Sequence, residues 1–134
     1  MRLVVLADNN TMIGPCLRGE PGVAFYIEYG DTRLLLDTGY SDIFLDNAAR
    51  LGIDLSGLSA IAISHGHDDH VTGLPALARQ VDLSKTEVVA HPLAFCPKQN
   101  KAGESIGTPV PREALERLCR LTLTDRPRKL SEHI

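Results

Sequence analysis

The stretch LSAIAISHGHDDHVTGLPAL, residues 58–77, constrains the fold more than any other part of the chain. Its opening "LSAIAIS" is a short apolar run that reads as a buried strand and delivers the chain directly into His65. From about Asp69 onward, Leu74, Leu77, Ala78 and Val81 mark the apolar face of an amphipathic helix. His65 and His67 cannot share one helix face, but a strand-to-helix loop can turn both imidazoles toward one point. Asp69 and His70, on the first helical turn, can then point to a neighbouring spot. Three of the five histidines fall here. At ordinary residue frequencies the four fixed positions H-x-H-x-D-H arise in a chain of this size on the order of once in ten thousand sequences, so a merely solvated loop is the weaker reading. Imidazoles with a carboxylate suit zinc, with iron or manganese as alternatives, better than thiophilic metals. The strand end supplies rigidity, and the helix N-terminus favours a bound anion or hydroxide.

The flanking sequence predicts an α/β chain. "RLVVLAD" reads as a buried strand, followed by a loop punctuated by Gly14, Pro15, Gly19, Pro21 and Gly22. "VAFYIEYG" alternates, with Val23, Phe25, Ile27 and Tyr29 on one face, and Gly30-Asp31 turns it into "TRLLLD", a hairpin over residues 23–37. After Asp37 a helix follows, with Ser41 as candidate N-cap, Phe44, Ala48 and Leu51 at helical spacing, and Gly52 as its stop. "TEVVAH" reads as a strand ended by Pro92. A polar loop of 14 residues, "CPKQNKAGESIGTP", comes next and is long enough to meet a ligand. A third helix over Arg112 to Arg120, a candidate strand "LTLT", and "RKLSEHI", with strand character but no closing element, complete the chain.

Bulk properties exclude several classes. At 134 residues the chain makes one domain with a real core, and 43% hydrophobic with 23% charged residues describe a folded globular protein. A net charge of -3 with interleaved signs gives no footprint for nucleic acid or anionic lipid. The apolar run before Asp8 is too short for a secretory signal or a membrane span. Three scattered cysteines without a C-x-x-C pair fit a reducing cytoplasm. Cys119 shares a helix face with Leu115 and reads as core. Cys16 and Cys96 sit in loops near the histidines, with metal or substrate contact as their alternative reading.

His65, His67, Asp69 and His70 reproduce the H-x-H-x-D-H motif of the metallo-β-lactamase superfamily, and "LLLDTG" resembles its first motif, with Asp37 at the strand end. Similarity over "DNAARLGIDLSGLSAIAISHGHDDHVTGLPAL", "VVAHPLAF" and "IGTPVPREALERL" covers nearly the whole chain. It resembles the branch that includes dihydropterin ribofuranosylaminobenzene phosphate synthase and many metal-dependent hydrolases. Thr72 stands where the branch usually has glycine. The resemblance implies up to two divalent ions, one on His65 and His67 and a second on Asp69 and His70. A bridging hydroxide would attack the substrate, steered by Asp69, and Asp37 would hold the loop from behind.

The resemblance also implies what is missing. The family domain is a four-layer αββα sandwich of two similar halves, and this chain matches the first: one mixed sheet, with helices on one face. The remaining ligands belong to the second half. "DRPRKLSEHI" resembles the start of the family's next strand and reads as a truncation. His91 could replace a missing ligand, but the "AHP" stretch belongs to the branch as a pocket element, so His91 is expected in the substrate pocket. His133 reads as a solvated terminal residue, with ligation as the alternative. Lys98 and Lys101 could hold a phosphate or carboxylate of a small-molecule substrate or simply be solvated. The inner sheet face lacks a partner, and leaving several hundred Å² of it wet forgoes on the order of 10 kcal/mol. A homodimer, or a complex with a separately encoded second half, is therefore expected to complete a metal-dependent hydrolase or related transferase. The alternative is a non-catalytic half-domain that binds metal weakly and self-associates.

Overall fold

The computed structural model describes residues 1–11, 16–132 and 134. Six strands form one sheet whose spatial order is their order in sequence: β1 (Arg2–Ala7), β2 (Ala24–Tyr29), β3 (Thr32–Leu36), β4 (Ala60–Ala62), β5 (Glu87–Ala90) and β6 (Arg120–Leu123). The first three pair antiparallel, and β3 through β6 run parallel. The connections carry α1 (Ile43–Arg50), α2 (Asp68–Val71), α3 (Leu74–Gln80), a 3-10 turn at Pro92–Phe95, and α4 (Arg112–Leu118). No helix among the described residues is long and apolar enough to cross a membrane.

This order explains why the helices share one face. Each crossover from β3 to β6 steps one place in the same direction, and the right-handedness of such connections puts every intervening helix on the same side. That side holds the core. Leu6, Tyr26, Leu35, Ile61 and Val88 of the sheet are buried against Phe44, Leu74, Leu77 and Leu115 of the helices. The alternate residues face away, as the strand period requires. Phe25, Leu36, Ala62 and Val89 are register partners across four strands and are only half-buried. Toward the β1 edge of that face, Leu3, Val5 and Tyr29 are 54%, 44% and 41% exposed. Arg128 of the C-terminal segment reaches Glu87 at 2.7 Å.

Several expectations shift at element ends. The first helix starts after Asp42, which makes no side-chain cap bond, while the Ser41 hydroxyl accepts from the Ile43 N–H at 3.3 Å and donates to Glu20 Oε2 at 2.6 Å. Gly52 does end it, at φ +67°. The predicted third helix stops at Leu118, and Arg120 starts β6, because the parallel edge of β5 takes Arg120 through Leu123 into the ladder. The described residues after Thr124 form no strand: Leu130 and Ser131 donate instead to the Ile134 carbonyl. Gly14, Pro15 and His133 lie outside the described residues.

The helix expected from Asp69 through Val81 is two helices, broken at Thr72-Gly73. Gly73 is crowded, since a Cβ there would lie 2.0 Å from the Thr38 carbonyl, and its N–H bonds to Gly39. Pro75 at the start of α3 removes a further helical donor. At the break, the Thr72 hydroxyl is buried with no hydrogen-bond partner among the described residues. Such a group costs about 1–3 kcal/mol. Thr72→Val, of the same shape, should therefore raise stability by about 1 kcal/mol, read from urea unfolding midpoints. An unchanged or lowered midpoint would contradict the assignment of Thr72 as a cost.

Candidate metal centre

The carboxyl ends of β3, β4 and β5 lie side by side, and each delivers a polar residue: Asp37, Ser64 with His65, and His91. Such ends are where open α/β sheets place their ligands. Asp37 leaves β3 at φ +58°, a left-handed conformation that aspartate tolerates better than most residues, and its side chain is buried. Two Ser64 donors and a histidine ring nitrogen converge on its two oxygens. Ser64 gives its backbone N–H to Oδ1 at 2.7 Å and its hydroxyl to Oδ2 at 2.6 Å, and His70 Nδ1 stands 2.7 Å from Oδ2. Thr38 adds two bonds to the His70 carbonyl, through its N–H at 2.9 Å and its hydroxyl at 3.1 Å. The loop after β3 thus grips the first turn of α2.

The sequence between His65 and His70 is shaped by close packing. A Cβ on Gly66 would lie 1.7 Å from the Ala94 carbonyl, and one on Gly22 would lie 1.8 Å from that of Asp69. Glycine is what lets the 3-10 turn and the opening loop touch the histidine loop. From the other side the polar loop folds back on itself through a Gln99–Ser105 bridge and pairs Gly107 with His67. Asp68 N–H donates to the Ile106 carbonyl at 3.1 Å, and Thr108 N–H to that of Gly66 at 3.0 Å. Part of this loop is thus engaged by the histidine segment.

The histidines come together. The rings of His65 and His67 are 4.5 Å apart between centroids, those of His65 and His70 4.1 Å, and His70 Nε2 is 3.6 Å from Asp69 Oδ1. Among the described residues, however, no group of three or more His, Cys, Asp or Glu side chains is arranged to hold a metal ion. The donor types suit a borderline divalent cation, and they are neighbours without yet converging. Partial burial, and then the adjacent His70 and His67, hold the His65 imidazolium below the usual histidine range against the pull of Asp37 and Asp69. A neutral ring is the form that ligates.

The remaining candidates divide. His91 and Lys98 line one cleft of about 200 Å³ with Ser64, His65, Gly66 and Leu93. His91 Nδ1 accepts from Leu93 N–H at 3.1 Å, so the neutral ring carries its proton on Nε2 and presents a donor there. Lys98 Nζ donates to the carbonyls of Leu93, Ala94 and Cys96 at 2.9, 2.9 and 3.0 Å, engaging its whole complement of N–H groups in holding the turn. Lys101 is exposed in the turn between Gln99 and Ser105, outside that cleft. Cys16 and Cys96 are exposed. Cys119 is buried, and burial pushes its thiol up to about 11, as a core residue. Nothing in the residue type marks Ser64 in the sequence. Its only signal there is position, between the strand and His65.

The sequence profile of the Metallo-beta-lactamase superfamily matches residues 17–117, a span that includes Asp37, Ser64, the histidine cluster, His91, Lys98 and Lys101. The chain belongs to that superfamily. It is 37% identical over 79 residues to an uncharacterized protein of Methanocaldococcus jannaschii, covering 59% of this chain and 30% of that one. It is 27% identical over 100 residues to the 7,8-dihydropterin-6-methyl-4-(beta-D-ribofuranosyl)-aminobenzene-5'-phosphate synthase of the same organism, covering 71% and 34%. Among solved structures, a metal-dependent hydrolase of the beta-lactamase superfamily superimposes with a TM-score of 0.71 at 28% identity, over 92% of this chain and 42% of its own. The chain thus spans less than half the length of each of these proteins.

The lowered His65 value sets a pH dependence. The unfolded chain takes up protons once pH falls below about 6.5, while the folded chain resists at this ring. Stability is therefore lost as pH falls from there through the lowered folded value. Urea midpoints of the metal-free protein should drop more steeply over this range for the wild type than for His65→Gln; equal slopes would count against the folded environment described.

Proposed function

We propose that this chain forms the metal-binding part of a metal-dependent hydrolase, or a related transferase, acting on a small molecule. The observation that carries this reading is the cluster at the carboxyl ends of β3 to β5: three imidazoles and a carboxylate in one group, backed by Asp37. In it, His65 and His67 would hold one divalent ion and Asp69 and His70 a second, with zinc the best match to the donors and iron or manganese alternatives. The ion supplies Lewis acidity and an activated water. Asp69 would be placed to orient a water activated in this way. Asp37 keeps the His70 ring in place through Nδ1. His91 offers an Nε2–H to a substrate in the cleft beside His65. Lys98 lends that cleft positive charge rather than a free donor, and Lys101 reaches only a group extending outside it. With a net charge of -3, a small anion held by a few such contacts fits better than nucleic acid.

Further donors come from outside these residues. Support for this lies in the unconverged cluster and in the apolar sheet face with Leu3, Val5 and Tyr29 exposed. A second sheet, corresponding to the rest of the longer relatives or supplied by another copy of this chain, covers that face and completes the site. The same unconverged cluster also favours the second reading, a non-catalytic domain that self-associates and binds metal weakly.

Metal analysis, native mass and turnover separate the two. The proposal expects stoichiometric zinc, iron or manganese, which His65→Ala with His67→Ala abolishes without unfolding the protein. It also expects an assembly larger than a monomer in sedimentation at micromolar concentration, and hydrolysis within a panel of generic phosphodiester, ester and lactam substrates. Unchanged metal in the double variant would refute the assigned ligands. A stable monomer would refute completion by self-association, and an assembly with weak metal binding and no turnover would establish the second reading.

A further inference from the structure

Ser64 carries one hydroxyl proton and stands within hydrogen-bond distance of two groups, Asp37 Oδ2 at 2.6 Å and His65 Nδ1 at 3.0 Å. Asp37 also receives the Ser64 N–H at Oδ1 and faces His70 Nδ1, so two Ser64 donors and a ring nitrogen surround its two oxygens. The carboxylate meets both Ser64 hydrogens with lone pairs. The hydroxyl proton therefore goes to Asp37. The Ser64 oxygen is left with lone pairs alone toward His65, and a bond there requires that His65 supply the hydrogen.

We propose that Ser64 is a positioning residue that transmits the Asp37 carboxylate to His65, fixing that ring with its proton on Nδ1 and its lone pair on Nε2. Free imidazole side chains in water favour the opposite arrangement, with the proton on Nε2, so the hydroxyl reverses a default. His70 meets the same carboxylate directly through Nδ1. One aspartate thus sets the proton position on two histidines, on one by contact and on the other through a hydroxyl. His67 supplies the contrast, because neither of its ring nitrogens has a hydrogen-bond partner among the described residues. The assignment concerns the metal-free protein; its consequence, a preset Nε2 donor on His65, rests on the metal reading above.

Long-range proton–nitrogen NMR of the ¹⁵N-labelled, metal-free protein reads the tautomer of each ring. The wild type should show His65 with a protonated Nδ1 and a bare Nε2, while His67 shows the ordinary mixture. Ser64→Ala should return His65 toward the Nε2–H form, leave His70 unchanged, and weaken zinc binding about tenfold or more. Ser64→Thr, which keeps the hydroxyl, should restore both. A wild-type His65 protonated on Nε2, or a Ser64→Ala spectrum that keeps the Nδ1 proton, overturns the proposal, and the first needs no variant to fold. If the tautomers are as stated but added zinc changes no histidine signal, the metal reading fails while the role of Ser64 stands.

Discussion

A single buried carboxylate organises the functional end of this protein. Asp37 sits where β3 ends, accepts from the backbone and hydroxyl of the residue that ends the next strand's run, and meets the ring of a histidine from the helix beyond. It joins the end of β3 to both ends of the segment from Ser64 to His70, about thirty positions later. Burying a carboxylate is costly unless its lone pairs are matched, and here the matching groups are those whose placement the site requires. The left-handed backbone at Asp37 turns the side chain back across the strand ends instead of letting it continue along β3.

Much of the architecture was legible because the strands alternate or run apolar over lengths that suit a strand and not a helix. "VAFYIEYG" and "TRLLLD" show the hairpin, and the strand before His65 is unmistakable between its polar flanks. What failed was local. Leu74, Leu77, Ala78 and Val81 keep helical spacing with the residues before them, so periodicity alone joined two helices. At the break Gly73 gives its N–H to Gly39, and only a residue without a Cβ fits beside the Thr38 carbonyl, a neighbour from more than thirty positions earlier. Likewise the β6 start displaced a helix end, because an open parallel edge outweighs local propensity.

The site was legible as a set of residues and less so as a set of roles. Histidine and aspartate are rare enough in such spacing to announce themselves. Serine is common at strand ends, so nothing in composition or spacing marks Ser64. Its role follows only from a distance to Asp37 and another to His65. Lys98 shows the reverse. A lysine in a long polar loop beside a pocket invites an anion, yet its ammonium serves three carbonyls of the neighbouring turn. Charge type in a loop does not say whether the charge is free.

The strand order has a consequence for how the chain acquires its structure. Each strand pairs with the one made just before it, and none occupies a gap between two earlier strands. Closing each pairing requires only the loop between neighbours, which keeps the entropy of closure small at every step. A nascent chain can therefore extend the sheet one edge at a time as it leaves the ribosome, with Asp37 in place before the strand that leads to Ser64 arrives to meet it.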